Sequence, residues 1–507
     1  MTPIFRMWEA DGGISAEYLW KKGQYVMRQE LDNYAKTLAE HVRNGDLAIF
    51  AGAGLSASVG FVDWAKLLHP FAKDLGLDSK KEDNLVRLAQ FSVNSKGGHR
   101  NHLNQALIKA FPTLTKPGKS HEILASMPIS TYWTTNYDTL IETALRKERK
   151  AVDVKWNDKQ LPASTVKRDA VVYKMHGDIS MPDDAVLTRD DYESYAHNFP
   201  GLVNALMGDL TVKTFLFIGF SFSDPNLDHV LSEVRQRYHK AMREHYCIVR
   251  KVSTKDFPKA ADLAYARAKQ DLFIADLKRF NVTAILIEEY SEIPELLAAV
   301  SKYSRRDSVF VSGSVADYSP WSQDEVDDFL RAVGELLAKK GKRIVSGLGV
   351  GVGNQVVSGA VEHAYTQDHV NLHSLLEVRP FPQRVSKASD RNAIWKAYRL
   401  ELVRSAGIAL FVFGNKEKNP GGPIVDADGM RDEFDLALES GLFVIPIGGT
   451  GAMAGKLAAE VLGDFSRYYP QKDKTLKKAF EDLNSKKKEL NEYLPILAQL
   501  IERLTEV

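Results

Sequence analysis

Between Leu47 and Gly60 the chain reads LAIFAGAGLSASVG, an apolar run that breaks into Gly52-Ala53-Gly54 and then presents Ser56. No other segment limits the fold so strongly. Leu47 to Phe50 is too short for a buried helix and suits a strand covered on both faces. Two glycines at its exit allow a tight turn with no side chain in the way, so successive backbone N–H groups face one concavity. Such an exit suits an anion such as a pyrophosphate. Taken alone, the pattern is shared by many nucleotide-binding folds.

At 507 residues the chain is too long for a single core, and two or three domains are expected. It is 44% hydrophobic and 26% charged, with no apolar stretch long enough to cross a bilayer, so no membrane association is expected. The start, MTPIFRMWEADGG, lacks the basic-then-apolar order of a secretory signal, and Cys247 is the single cysteine. Both point to a reducing, cytoplasmic setting. The 67 basic residues nearly balance 66 acidic ones, which argues against a nucleic-acid partner.

Apolar periodicity then divides the chain. Residues 1–25 form an N-terminal extension. A first α/β domain covers 26–304, with a helix from Tyr25 to Asn44 and strands at Leu47–Phe50, Ser130–Thr134, Ala170–Lys174, Thr214–Ile218, His245–Val249 and Thr283–Ile287. A second, 305–507, restarts with strands at Ser308–Val311, Arg343–Ser346, Ile408–Phe413 and Phe443–Ile447 and ends in a charge-rich helical tail read as a solvated packing helix. Strands alternating with helices predict two Rossmann-like, doubly wound parallel sheets. Ligands of such sheets sit at the carboxyl ends of the strands.

Three further motifs occupy such ends: Thr134-Thr135-Asn136-Tyr137-Asp138, Lys174-Met175-His176-Gly177-Asp178, and Gly219-Phe220-Ser221-Phe222-Ser223-Asp224-Pro225-Asn226. With the glycine turn, in this order and at these spacings, they resemble the NAD-binding and catalytic core of the sirtuin family. The chemistry fits the residue types. Cleaving the nicotinamide–ribose bond forms an oxocarbenium-like centre that must be held, kept from bulk water and offered one nucleophile. An asparagine amide grips a hydroxyl or orients a water without adding charge, and a histidine titrates near neutral pH. The resemblance implies catalysis by Asn136 and His176 with help from Asp138. It places NAD against Ala51, Gly52, Ala53, Gly54, Ser56, Gly219, Ser221, Asp224 and Asn226. Asp224-Pro225-Asn226 fits a helix-start turn equally well. Protein-deacylating sirtuins also hold a zinc ion on four cysteines; one cysteine cannot build that site, so no metal is expected.

In the second half, Ser312-Gly313-Ser314 and the run Gly347, Gly349, Gly351, Gly353 resemble the SLOG family of nucleotide-ligand sensors. Arg379, Arg399 and Lys416 are the candidate phosphate cations. Phosphoribohydrolase relatives carry P-G-G-x-G-T-x-x-E, whereas Pro446-Ile447-Gly448-Gly449-Thr450-Gly451 lacks the glutamate, which favours binding over a second catalytic site. A sirtuin-type domain fused to a SLOG domain resembles the effector family of the Thoeris anti-phage system. That resemblance implies an NAD+ glycohydrolase, switched on by a cyclic ADP-ribose isomer from a TIR-domain partner, working as a homotetramer. A non-catalytic nucleotide scaffold and an NAD-dependent deacylase are the rival readings.

Overall fold

The computed structural model describes residues 27–505 except 62–63, 79–81, 83, 113–114, 367–370, 382–387 and 470–473. The expected N-terminal extension, 1–25, lies outside the described residues. The chain folds as two compact units, Met1–Ser301 and Lys302–Val507.

The first unit is built on a parallel sheet of seven strands: β1 Leu47–Ala51, β2 Thr131–Thr134, β3 Val152–Lys155, β4 Ala170–Lys174, β5 Thr214–Ile218, β6 His245–Arg250 and β7 Val282–Ile287. Their order is β3-β4-β2-β1-β5-β6-β7. The central pair, LAIFA and TFLFI, is buried at every position, which is why both strands read as unbroken apolar runs. Phe50, Phe215 and Phe217 pack together there, with ring centroids 5.2–6.5 Å apart.

Chain order runs outward from β1 through β2 to β4 on one side and from β5 to β7 on the other. The direction therefore switches between β1 and β5, where a doubly wound sheet opens its ligand crevice. The register aligns Ala51 with Thr134 and with Ile218, and Thr134 with Lys174. Four adjacent strands thus deliver their motifs to one edge. At the switch point the two turns touch backbone to backbone: Gly52 N donates to Ile218 O and Gly54 N to Gly219 O, each at 2.9 Å. A Cβ on Gly54 would lie 2.7 Å from Gly219 Cα, so these turns need glycine for proximity as well as for flexibility.

The edge strand β3 was not among the expected strands. Its sequence, Val-Asp-Val-Lys, buries the charged Asp153 and Lys155 and leaves the valines half-buried, the reverse of the usual alternation. Lys155 Nζ reaches Asp153 Oδ1 at 3.0 Å and Gln160 O at 2.7 Å, satisfying the buried charges.

The second unit carries β8 Ser308–Ser314, β9 Arg343–Ser346, β10 Leu376–Val378, β11 Ile408–Phe413, a hairpin of β12 Asn415–Glu417 and β13 Ile424–Asp426, and β14 Phe443–Pro446. The parallel sheet runs β10-β9-β8-β11-β14, again with its switch beside the first strand. Both units are therefore the doubly wound α/β folds expected. The tail differs from expectation. It forms helices Lys474–Asn484 and Tyr493–Thr505, whose Leu476, Phe480, Leu483, Tyr493, Leu497, Leu500, Ile501 and Leu504 join the core of the unit. Lysines and glutamates on the outer faces had masked an apolar stripe at helical spacing.

Candidate active site and ligand cleft

Asn136 and His176 leave adjacent strands two residues beyond a paired register position, and the Tyr137 and His176 rings lie 6.5 Å apart. Asn136 is fixed from three directions. Its backbone N donates to Thr134 Oγ1 at 2.9 Å, and Nδ2 donates to Gly52 O and Ser56 Oγ, both at 3.0 Å. Ser56 Oγ donates onward to Asp138 Oδ2 at 2.7 Å, and Asp138 Oδ1 receives Leu140 N at 3.0 Å. The chain Asn136–Ser56–Asp138 is wholly buried and joins the first glycine turn to the loop after β2. With both Nδ2 protons used inside the protein, only the Asn136 carbonyl oxygen is left to meet a ligand.

His176 is also buried, and its Nε2 lies 2.9 Å from Asp224 Oδ2. Tyr192 meets the imidazole edge-on at 5.2 Å. Asp224 caps the helix Pro225–Tyr238: Oδ1 accepts from Asn226 N at 2.9 Å and Leu227 N at 3.0 Å. Burial pushes the Asp224 carboxyl up, but His176 and the two cap amides outweigh it and hold it below the usual carboxylate range. Ser221 is exposed and its Oγ lies 2.6 Å from that of Ser223; Asn226 Nδ2 is buried without a partner among the described residues.

In the second unit a cleft of about 930 Å³ opens at the carboxyl edge of the sheet. Ser312, Gly313, Ser314, Gly347, Gly349, Arg399 and Lys416 line it, joined by Phe381, Trp395 and Glu433. The other expected ligand residues stand elsewhere. Gly351 packs on Val315, Gly353 packs on Leu348 as it opens a helix, and Arg379 pairs with Glu377 at 2.5 Å. Arg399 lies across Phe381, 5.3 Å from the ring centroid, and reaches Glu433 Oε1 at 3.4 Å and Asp432 Oδ2 at 3.3 Å. Lys416 pairs with Asp428. The Pro446–Gly451 loop is filled by the tail: a Cβ on Gly449 would collide with the Tyr493 hydroxyl, and Thr450 is buried and bonded to Ile447 O.

The comparisons with known proteins agree with this division. A family model for a SIR2-like domain matches residues 130–272, and one for the Sir2- and TIR-associating SLOG family matches 292–504. An NAD(+) hydrolase ThsA of Bacillus cereus (strain MSX-D12) is 42% identical over 479 residues, covering 94% of this chain and 99% of the relative. This chain belongs to the ThsA family. An NAD(+) hydrolase ThsA of Acinetobacter baumannii (strain 532279) is 44% identical over 93% of this chain and 97% of its own length. Defense-associated sirtuin 2 of Bacillus subtilis shares 31% identity over 40% of this chain and 20% of its own.

Three features of this ThsA-family chain escaped the sequence reading. Asp224 stands at His176, a pairing of residues 48 positions apart that spacing does not reveal. Glu433 faces the second cleft from helix Asp428–Glu439. It accepts from Ser312 Oγ at 2.6 Å, and burial pushes its carboxyl up. Lys174, fully buried beside the Asn136–Asp138 loop, contacts Asp178 at 2.5 Å and Glu142 at 3.1 Å and donates to Tyr137 O at 3.0 Å. A lysine ending an apolar strand gave no sign of that buried cluster. Among the described residues no group of three or more His, Cys, Asp or Glu side chains is placed to hold a metal, and Cys247 is buried in β6.

Proposed function

We propose that this chain hydrolyses the nicotinamide–ribose bond of NAD+ in its first unit, and that a cyclic ADP-ribose isomer bound in its second unit switches that reaction on. The single observation that carries the first half is the buried Asn136–Ser56–Asp138 chain at the sheet's switch point, with His176 delivered by the neighbouring strand. Pyrophosphate lies beside the Gly52–Gly54 turn, whose Gly52 and Gly54 N–H groups are themselves held by Ile218 O and Gly219 O. Asn136 Oδ1 receives a ribose hydroxyl or the attacking water. His176 accepts the proton as water bonds to the anomeric carbon and nicotinamide leaves with the bonding electrons, giving ADP-ribose, nicotinamide and one proton.

The second half rests on the cleft. Its volume suits a dinucleotide-sized ligand. Arg399 and Lys416 supply the cations for phosphates, Glu433 an acceptor for ribose hydroxyls, and Phe381 and Trp395 faces for a base. A TIR-domain partner supplies the isomer during phage infection, and cytoplasmic NAD+ depletion then halts phage growth. An effector of this kind must rest inactive, so the ligand acts through higher affinity for the active arrangement. The homotetramer follows from the same family resemblance and is checked by light scattering with and without ligand.

The test is NAD+ consumption by purified full-length protein, with and without each cyclic ADP-ribose isomer, beside His176→Ala, Asn136→Ala and Arg399→Ala. Turnover that requires one isomer and is abolished by each change supports the reading. Ligand-independent turnover that Arg399→Ala leaves intact removes the switch, and binding without turnover makes the chain a scaffold.

A further inference from the structure

We infer that Asp224 is a positioning residue for the reaction, orienting His176 and compensating the charge it gains when it takes a proton. The inference rests on the reading of His176 as the base. The two side chains are 5% and 8% exposed, with Nε2 and Oδ2 2.9 Å apart, so water screens their interaction poorly. The carboxylate is held still. Its second oxygen receives Asn226 N and Leu227 N, and the positive end of the fourteen-residue helix Pro225–Tyr238 stands behind it. A carboxylate with one oxygen bound to a helix end can present the other in only one direction.

Three aromatic rings also stand around the imidazole. Tyr137 comes from the loop after β2, Tyr192 from helix Arg189–Glu193 and Tyr195 from helix Tyr195–Asn198; their ring centroids lie 6.5, 5.2 and 6.5 Å from that of His176. Tyr137 spends its hydroxyl on Val186 O at 2.7 Å. Arg100, which acts on Tyr137 from a distance, pairs with Asp191 at 3.4 Å and donates to Ala185 O at 2.6 Å. Among the described residues, Asp224 is the carboxylate in ion-pair contact with His176.

A carboxylate beside Nε2 favours one tautomer. In the neutral ring the proton sits on Nε2, toward Oδ2, and Nδ1 carries the lone pair that accepts a proton from water or a ribose hydroxyl. In the structure Nε2 and Oδ2 are at contact distance without the alignment of a hydrogen bond. Substrate closing on the imidazole takes up that slack.

Asp224→Asn separates this role from the cap. Asparagine keeps Oδ1 for the two amides and is an equally good N-cap, but removes the charge facing His176. The expected result is a fall in kcat of roughly 10- to 1000-fold with KM within about threefold and an unchanged melting curve. Asp224→Ser, which caps the helix but is too short to reach His176, gives the same pattern and serves if the asparagine variant folds poorly. All rates are read on the full chain, with a cyclic ADP-ribose isomer present wherever the parent needs one. An unchanged or faster kcat in both variants, or a loss that appears in KM rather than in kcat, overturns the inference while inactive His176→Ala keeps the base reading. A fully active His176→Ala overturns both.

Discussion

The Ser56 hydroxyl donates to Asp138 Oδ2 across 2.7 Å, and neither side chain is open to solvent. This bond ties the turn that would carry pyrophosphate to the loop that carries Asn136. Ser56→Ala removes it and one of the two acceptors of Asn136 Nδ2, leaving a buried carboxylate oxygen short of a donor. The expected cost is about 1–3 kcal/mol of stability in urea denaturation and a kcat for NAD+ at least tenfold down. A variant as active as the parent would show that the chain from Asn136 to Asp138 is structural alone.

Gly219 adopts φ +64° and a Cβ there would collide with Leu55 N, so alanine is opposed by both backbone and space. Gly219→Ala should lose roughly 2–4 kcal/mol in urea denaturation, with NAD+ turnover lost as the two turns part. Gly45→Ala is the control: it shares a positive φ but has nothing within 4 Å, and should cost about 1 kcal/mol with turnover retained.

Lys174 neutralises two buried carboxylates, Glu142 and Asp178. Lys174→Met strands both. A loss of about 3–5 kcal/mol is expected from denaturant midpoints, and adding Glu142→Gln should recover part of it.

His245 predicts an acid-sensitive stability. Burial, with Arg243 adding to it, pushes the imidazole down to about 3 from 6.5, and Nδ1 accepts Phe215 N at 3.1 Å, which a protonated ring cannot do. The folded value lies below the unfolded one, so the denatured chain takes up the proton first. The contribution is complete above about pH 6.5 and is lost as pH falls from there toward 3, at up to about 1.4 kcal/mol per pH unit. Urea midpoints at pH 7.5, 6.5 and 5.5 should fall accordingly. His245→Asn, which still offers Phe215 an acceptor, should flatten that part of the slope; an equal slope in both proteins would assign it to other groups.

Glu433 gives the second cleft its own test. Glu433→Gln keeps an acceptor for Ser312 Oγ but removes the charge beside Arg399. If a cyclic ADP-ribose isomer binds there through its ribose hydroxyls, its thermal shift should shrink and its activating concentration rise roughly tenfold or more, with ligand-free stability little changed. Phosphate-only recognition predicts the opposite, tighter binding to an uncompensated Arg399.

Most of the fold was legible because its signals are local. LAIFA and TFLFI are buried on both faces and so are apolar throughout, and Gly52, Gly54 and Gly219 stand where two backbones meet. Asn136, His176 and the glycine turn stood out because each follows a strand in a motif that resembles the sirtuin core. The strand β3 was missed because its buried residues are the charged ones, and the tail was misread because its apolar stripe is diluted by lysine and glutamate. Of the cations expected in the second cleft, Arg399 and Lys416 line it while Arg379 is taken by Glu377, a choice that only side-chain packing makes.

The sequence by itself determined two doubly wound α/β units and the edge of each sheet where the glycine turns and polar motifs gather, since both follow from short-range periodicity and from the conformations that glycine alone permits. Tertiary structure decided the pairings: Ser56 with Asp138, His176 with Asp224, Ser312 and Arg399 with Glu433, Lys174 with Glu142. Each joins residues more than thirty positions apart, or on separate elements, and depends on a contact within hydrogen-bond or ion-pair reach. Residue type announces that a buried polar group needs a partner, but only the packed chain settles which partner is near enough.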